Sequence, residues 1–199
     1  MVSRVVNDRD HDRKLTLMTS ERGTISATAR GGRKPQRRLL SAVQPFIYGE
    51  YVVAERNGKL YINQCDVREV FYNLRLDPDA LQYAAVITAL AEEYANPEEN
   101  NDRVFSLLLN CLKYLCDGFS YRGVTIFFMA KLMHFAGYTP STNSCVGCGR
   151  GDGLIYFSTD EGGALCANCA RSVGGFIKTD ESILILLDGL HRVPNAGYE

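Results

Sequence analysis

Short apolar runs alternate with turn residues along the first 75 positions, and this period of two predicts β-strands. Four such runs occupy residues 15–19, 24–29, 46–54 and 59–64. Asn57 and Gly58 separate the last two runs, and both residue types accept positive φ, which is the strongest short-range signal for a tight hairpin. Several short strands joined by glycine turns indicate a small antiparallel barrel or sandwich. With a first strand before Asp12, we predict a five-stranded barrel within about residues 3–64.

The period changes to 3.6 after Asp77, which predicts helices from there onward. Asp77 is placed to cap the first helix, with Pro78 at its first position. The apolar face of this helix is predicted to carry Tyr83, Ile87, Leu90 and Tyr94. A second helix has an apolar stripe formed by Val104, Leu107, Leu108, Cys111, Leu112 and Leu115.

A third predicted helix, from about residue 123 to 136, is apolar nearly all round, with Lys131 the main exception. Such a helix usually forms the centre of a bundle, so we expect His134 to be a core histidine. A last helix is predicted over residues 179–190. The fold class is therefore α+β, with one domain over residues 1–76 and a mainly helical domain over residues 77–199.

A cysteine motif interrupts the second domain between residues 145 and 169. Cys145 and Cys148 form one C-x2-C pair, and Cys166 and Cys169 form another after seventeen intervening residues. Each pair places two thiolates on one tight turn, as tetrahedral zinc requires. Gly149 follows the first pair, where positive φ lets the backbone fold beneath the sulfur. The spacing predicts a structural zinc site with all four positions filled by cysteine.

Two other interpretations of these cysteines stay open. Iron also occupies four-cysteine cages, and two disulfides would use the same residues. Disulfides suit small, disulfide-dense chains in oxidising compartments, whereas this chain has seven cysteines, an odd number. The other three lie in apolar segments and are predicted to be buried, inert thiols: Cys65, Cys111 and Cys116.

The composition is that of a globular protein, with 46% hydrophobic and 23% charged residues. No apolar run approaches the roughly 18 residues that a membrane span needs. The first twelve residues are polar and contain no secretory signal. These features, with the cysteine usage, predict a protein of the reducing cytoplasm without a membrane partner.

The net charge of −1 hides an asymmetry between the two parts of the chain. Residues 1–60 carry twelve Lys/Arg and six Asp/Glu, net +6, and the remainder is net −7. Between residues 13 and 38, eight cations accompany one acid, Glu21. The eight are Arg13, Lys14, Arg22, Arg30, Arg33, Lys34, Arg37 and Arg38. This density predicts contact with nucleic-acid phosphates, although basic loops are often only solvated.

Aromatic residues on the neighbouring strands suggest base stacking beside these cations. They are Phe46, Tyr48, Tyr51 and Tyr61. Strand aromatics are more often core residues, because alternation turns half of each strand inward.

No catalytic motif accompanies these features. The chain has three histidines and lacks the Gly-x-Ser-x-Gly, phosphate-loop and His-Glu-x-x-His patterns. A non-enzymatic nucleic-acid-binding protein is therefore the first interpretation. The second is a zinc-stabilised scaffold that binds a protein or RNA, and a zinc-dependent nuclease is a distant third, because it needs an open metal position.

Several segments resemble the RecO family of bacterial recombination mediators in their order and spacing. They are residues 12–23, 29–34, 40–46, 135–140, 145–149 and 162–169. The resemblance implies an amino-terminal OB-fold and a helical domain with a zinc knuckle. It also implies a non-enzymatic, nucleoid-associated protein that binds single- and double-stranded DNA and anneals complementary strands. With RecR, such a protein helps RecA displace single-strand-binding protein.

The family's basic positions correspond best to Arg30, Arg33 and Lys34, and next to Arg13, Arg37 and Arg38. Two departures from the family pattern affect the expected structure. The segment before Asp12 is short, which predicts a clipped or irregular first strand. Only thirty residues follow Cys169, where the family usually continues with further helices.

Overall fold

A computed structural model describes residues 1–8, 11–32 and 39–194 of the chain. It contains two compact units, which meet in sequence after Thr125. The first unit holds a five-stranded sheet, two long helices and the start of a third. The second holds the rest of that third helix, a small sheet, the four-cysteine motif and the last helix. The α+β class predicted from the sequence is confirmed.

The sheet of the first unit has the strand order β1-β2-β3-β5-β4. The strands are β1 (Val2–Asp8), β2 (Asp12–Thr19), β3 (Gly23–Ala29), β4 (Tyr48–Arg56) and β5 (Lys59–Glu69), with α1 (Leu39–Ala42) between β3 and β4. Neighbours are antiparallel except β3 and β5, which are parallel and so correct the prediction of an antiparallel barrel. This is the arrangement of the OB-fold, a partly open five-stranded barrel.

The edges of the sheet meet without forming a full ladder. Within the described residues, no strand pairing joins β1 to β4. Instead, the Val2 N–H donates to the Ile47 carbonyl at 2.9 Å, and the Phe46 N–H donates to the Val2 carbonyl at 2.8 Å. The expected irregularity of the first strand is present as a register shift between Val2 and Arg4.

The predicted hairpin between β4 and β5 is confirmed. Arg56 pairs with Lys59, and the two residues between them, Asn57 and Gly58, have φ of 52° and 69°. Two consecutive positive φ values are those of a type I′ turn, whose twist matches that of the strands. β5 continues to Glu69, beyond the predicted end at residue 64, because it pairs with the whole of β4.

Three long helices follow a 3₁₀ turn (Tyr72–Arg75): α2 (Pro78–Tyr94), α3 (Asp102–Cys116) and α4 (Tyr121–Phe135). The predicted cap of α2 is confirmed, because the Asp77 carboxylate accepts from the N–H groups of Asp79 and Ala80 at 2.9 and 3.1 Å. The apolar stripe predicted for α3 is buried along its whole length.

The buried faces of α2 and α4 differ from the predicted ones. On α2, the buried residues are Ala80, Ala84, Ile87, Thr88 and Ala91. Of the predicted face only Ile87 is fully buried, and the other buried side chains are small. α4 is not the centre of a bundle, because Ile126, Met129 and Met133 are each about half exposed. Hydrophobicity alone does not reveal which side of an apolar helix lacks a neighbour.

In the second unit, two polar residues of α4 have environments that the sequence pattern did not predict. Lys131 is only 4% exposed, and its ammonium donates to the carbonyls of His191 and Val193 at the end of the last helix. His134 is exposed rather than in the core, and its ring stacks on that of His191 with 5.4 Å between centroids. A lysine is therefore buried here because backbone carbonyls satisfy its charge.

The remaining elements of the second unit are β6 (Leu154–Ser158), β7 (Gly163–Cys166), α5 (Ala167–Ala170), β8 (Phe176–Lys178) and α6 (Glu181–Arg192). The small sheet has the order β7-β6-β8 and is antiparallel. Its core includes Leu154, Leu165 and Leu184. Among the described residues, no helix has the length and apolar character needed to cross a membrane.

Candidate metal centre and nucleic-acid surface

The four motif cysteines converge on one point of the second unit. Their Sγ atoms all lie within 4.8 Å of one another, and those of Cys148 and Cys166 are 3.9 Å apart. A tetrahedral Zn²⁺ with Zn–S bonds of about 2.3 Å requires S–S separations of about 3.8 Å. A disulfide requires about 2.05 Å, and all seven cysteines are free. The four sulfurs could therefore hold a metal ion.

Two glycines allow the first cysteine pair to form its turn. Gly149 has a φ of 75°, and its N–H donates to the Cys145 carbonyl at 2.8 Å, which closes the turn beneath the sulfurs. A Cβ on Gly147 would lie 3.0 Å from the Cys169 sulfur. The first pair can approach the second so closely because this position has no side chain.

β7 and α5 position the second pair. Cys166 is the last residue of β7, and Cys169 lies in the single turn of α5 that follows. The Val146 N–H donates to the Ala164 carbonyl at 2.9 Å, which holds the first turn against β7. The Cys166 N–H points to the Cys145 sulfur at 3.4 Å.

Backbone N–H groups make this pocket favourable for thiolates. Burial by itself raises the pKa of Cys145, but N–H donors from Cys166, Cys148 and Gly147 outweigh it and lower that pKa to about 6. Hydrogen bonds with the other three sulfurs raise the pKa of Cys169 to about 12. Four adjacent thiols cannot all ionise without a neutralising charge, so a bound cation is the chemistry that these residues suit.

The other three cysteines are separate from this cluster. Cys111 is buried as predicted, and burial raises its pKa to about 12. Cys65 and Cys116 are only half-buried, which corrects the prediction. Cys116 is the last residue of α3, and Cys65 lies within β5 opposite Tyr51, outside the buried cluster of the sheet. Burial still raises the pKa of both thiols, which keeps them protonated and unreactive at neutral pH.

Of the eight cations predicted to contact nucleic acid, the structure describes four. Arg33, Lys34, Arg37 and Arg38 lie outside the described residues. Lys14, Arg22 and Arg30 are exposed. Arg13 is half-buried and donates to the Val43 carbonyl at 2.9 Å, so its guanidinium is committed in part to the protein backbone.

The β2–β3 hairpin separates the described cations into two groups. Arg13 pairs with Ala29, so Arg13, Lys14 and Arg30 lie together at the open end of the hairpin. Arg22 lies in the turn at the opposite end. The seven residues of β3 separate the ends by about 20 Å, at about 3.3 Å per residue. A contact patch near residue 30 therefore does not include Arg22.

Three of the four candidate stacking aromatics have packing roles. Phe46 is buried, and the Tyr51 hydroxyl donates to the Ala42 carbonyl at 2.8 Å. Tyr48 makes an edge contact with Phe105, with 5.9 Å between ring centroids. Tyr61 differs, because the Arg30 guanidinium lies over its ring at 4.3 Å from the centroid. The pairing of Arg30 with Tyr61 was not predicted, because the two lie thirty-one positions apart and meet through β3–β5 pairing.

These features define a class of α+β protein in which an OB-type sheet precedes helices and a four-cysteine cluster. Comparison with known families identifies the class more closely. The model described as recombination protein O N terminal matches residues 1–71, and the one described as recombination protein O C terminal matches residues 75–192. The chain belongs to the RecO family.

Curated relatives agree with this assignment. A protein of Alkaliphilus metalliredigens named DNA repair protein RecO is 35% identical over 160 residues, which is 79% of this chain and 65% of the relative. The protein of the same name from Desulforamulus reducens is 33% identical over 189 residues, covering 92% of this chain and 72% of the relative. That of Bacillus subtilis is 31% identical over 164 residues, covering 82% and 64%. The chain spans about two thirds of the length of these relatives.

Proposed function

We propose that this protein is a non-enzymatic DNA-binding mediator of DNA repair and homologous recombination. Membership of the RecO family supports this role, since the relatives are named DNA repair proteins. In this proposal the protein acts in the bacterial cytoplasm at the nucleoid. It binds and anneals DNA and, with RecR, assists RecA loading on single strands coated by single-strand-binding protein.

In this proposal the two domains have separate roles in DNA binding and in zinc binding. Residues 1–76 would bind single- and double-stranded DNA through their cations, and residues 77–199 would carry a structural Zn²⁺ on the four cysteines. The observation that carries the DNA-binding role is the group of exposed cations at the open end of the β2–β3 hairpin. Four more cations lie within the eight sequence positions after Arg30 and add to the charge of this segment: Arg33, Lys34, Arg37 and Arg38.

Salt dependence of DNA binding tests this role. Filter binding of single- and double-stranded oligonucleotides over several salt concentrations gives the slope of log K against log salt. Replacing both Lys14 and Arg30 with Ala should reduce that slope by about 0.7 per lost contact for single strands and about 0.9 for duplex. The matched control replaces Arg150 and Arg171, two exposed cations of the second unit, with Ala.

The control variant should keep the slope of the unmodified protein. Weak DNA binding whose slope is the same in both variants would contradict the proposal and support a zinc-stabilised scaffold for protein or RNA. Metal-dependent cleavage of the oligonucleotides would instead indicate a nuclease.

A further inference from the structure

One row of side chains crosses the outer face of the amino-terminal sheet from edge to edge. The register pairs Lys14 with Val6 on one side and with Thr28 on the other. Thr28 pairs with Tyr61, and Tyr61 pairs with Ala54. Residues paired across neighbouring strands present their side chains to the same face. The row therefore places a lysine and a tyrosine on one surface with a threonine between them.

The core lies on the other side of this sheet. The buried cluster and the residues packed on it include the neighbours of each row member: Val5, Leu15, Ala27, Ala29, Val53, Leu60 and Ile62. Successive side chains of a strand point to opposite faces. The row therefore faces away from the core, and Tyr61 is not among the residues that pack on the core.

Arg30 completes the arrangement. It follows Thr28 by two positions, so it projects from the same face, and its guanidinium covers the Tyr61 ring at 4.3 Å. Arg30 is exposed and Tyr61 is half-buried. A cation over an aromatic ring at an exposed site is held weakly, so a ligand that offers a phosphate to the guanidinium can draw it aside.

We propose that Tyr61 is a base-stacking residue for single-stranded DNA and that Arg30 covers its ring until a strand binds. This inference rests on the proposed DNA-binding function and assigns the residue that contacts a base. Arg30 and Lys14 take phosphates, and the ring face of Tyr61 that Arg30 leaves takes one base between them. Two inter-strand spacings, about 10 Å, separate Lys14 from Tyr61, and the small Thr28 between them leaves room for the sugar-phosphate backbone.

The chemistry of the row favours a single strand over other ligands. Every base has a π-face, so stacking on one ring tolerates any sequence, and a duplex keeps its bases stacked on one another. The two cations match the negative charge of the strand. The inference therefore predicts a contribution from Tyr61 that is absent for duplex DNA and independent of salt.

Fluorescence offers a direct test, because the chain contains no tryptophan. The Tyr61→Trp variant has one indole, whose emission an oligo(dT) should quench on stacking. An abasic oligonucleotide of the same length keeps the phosphates and should not quench it. Quenching by oligo(dT) alone supports the inference, and equal emission with both oligonucleotides overturns it.

Affinity provides the second test. Tyr61→Leu should weaken oligo(dT) binding about tenfold, with the salt slope unchanged and no effect on duplex or abasic binding. Tyr61→Phe should bind as the unmodified protein does. The matched control is Tyr72→Leu, which removes a tyrosine that is 60% exposed and lies outside the sheet.

The outcomes separate this inference from the function on which it rests. If the unmodified protein binds no DNA, both the proposed function and this inference are overturned. If the unmodified protein binds but Tyr61→Leu binds equally well, only the inference is overturned. If Tyr61→Leu lowers single-strand and duplex affinity together and also reduces the salt slope, the ring only positions Arg30, and stacking is again overturned.

Discussion

The N–H of Cys166 points at the Sγ of Cys145 across 3.4 Å and so joins the two cysteine pairs. The bond links the end of β7 to the first turn, which is twenty-one positions earlier in the chain. Because N–H donors favour the thiolate, the bond also prepares Cys145 to ligate a cation. The candidate metal site is thus part of the packing of the second unit.

Cys145→Ser tests the metal site. We expect the reduced, unmodified protein to hold about one Zn²⁺ per chain and the variant to hold almost none, since hydroxyl is a poor zinc ligand. The variant should also unfold at lower temperature, because the binding energy of a structural metal contributes to folding. Elemental analysis measures the first effect and calorimetry the second. Cys116→Ser is the control and should keep the metal.

Gly163→Ala should destabilise the second unit. A Cβ at this position would clash with the Ser141 carbonyl and lie 2.8 Å from Cγ1 of Val146. Overpacking of this kind costs about 1–3 kcal/mol. Gly174→Ala is the matched control, since nothing lies within 4 Å of its added Cβ. Denaturant titration should give a lower free energy of unfolding for the first variant alone, and equal values would disprove the predicted clash.

The separation of Arg22 from Arg30 gives a third prediction. Arg30→Ala should reduce the salt slope of single-strand binding by about 0.7, whereas Arg22→Ala should leave it nearly unchanged. The reason is that the two residues lie at opposite ends of the β2–β3 hairpin. Equal slope changes in the two variants would show that the strand follows the whole length of the hairpin.

The cap of α2 gives a pH-dependent prediction. A hydrogen bond from the Tyr121 hydroxyl and N–H bonds from Ala80 and Asp79 hold the pKa of Asp77 below its ordinary value of 3.8. The pKa is lower in the folded state, so this stabilisation is present in full above pH 3.8 and is lost as the pH falls through the lowered value.

Tyr121→Phe should therefore weaken the dependence of Tm on pH in the acid range. It should also lower Tm at neutral pH, where the carboxylate is charged. Tyr114→Phe, which keeps its ring contact with Phe119, is the control. Identical acid profiles for the unmodified protein and Tyr121→Phe would show that the Tyr121 hydroxyl does not act on Asp77.

The sequence by itself determined the features that depend on neighbours a few positions away. The Asn57–Gly58 turn, the Asp77 cap, the stripe of α3 and the cysteine pairs all follow from local backbone geometry and residue spacing, and each is present in the structure. Local sequence is sufficient for such features because the atoms that stabilise them belong to the same turn.

Only the tertiary structure determined which residues from distant parts of the chain come into contact. Parallel pairing of β3 with β5 brings Arg30 to Tyr61, and the length of β3 separates Arg22 from both. One face of α4 is left exposed although its sequence is apolar nearly all round, and Lys131 is buried because distant carbonyls accept hydrogen bonds from its ammonium. Strand register and helix contacts join residues that are far apart in the chain, so no local sequence pattern predicts these contacts.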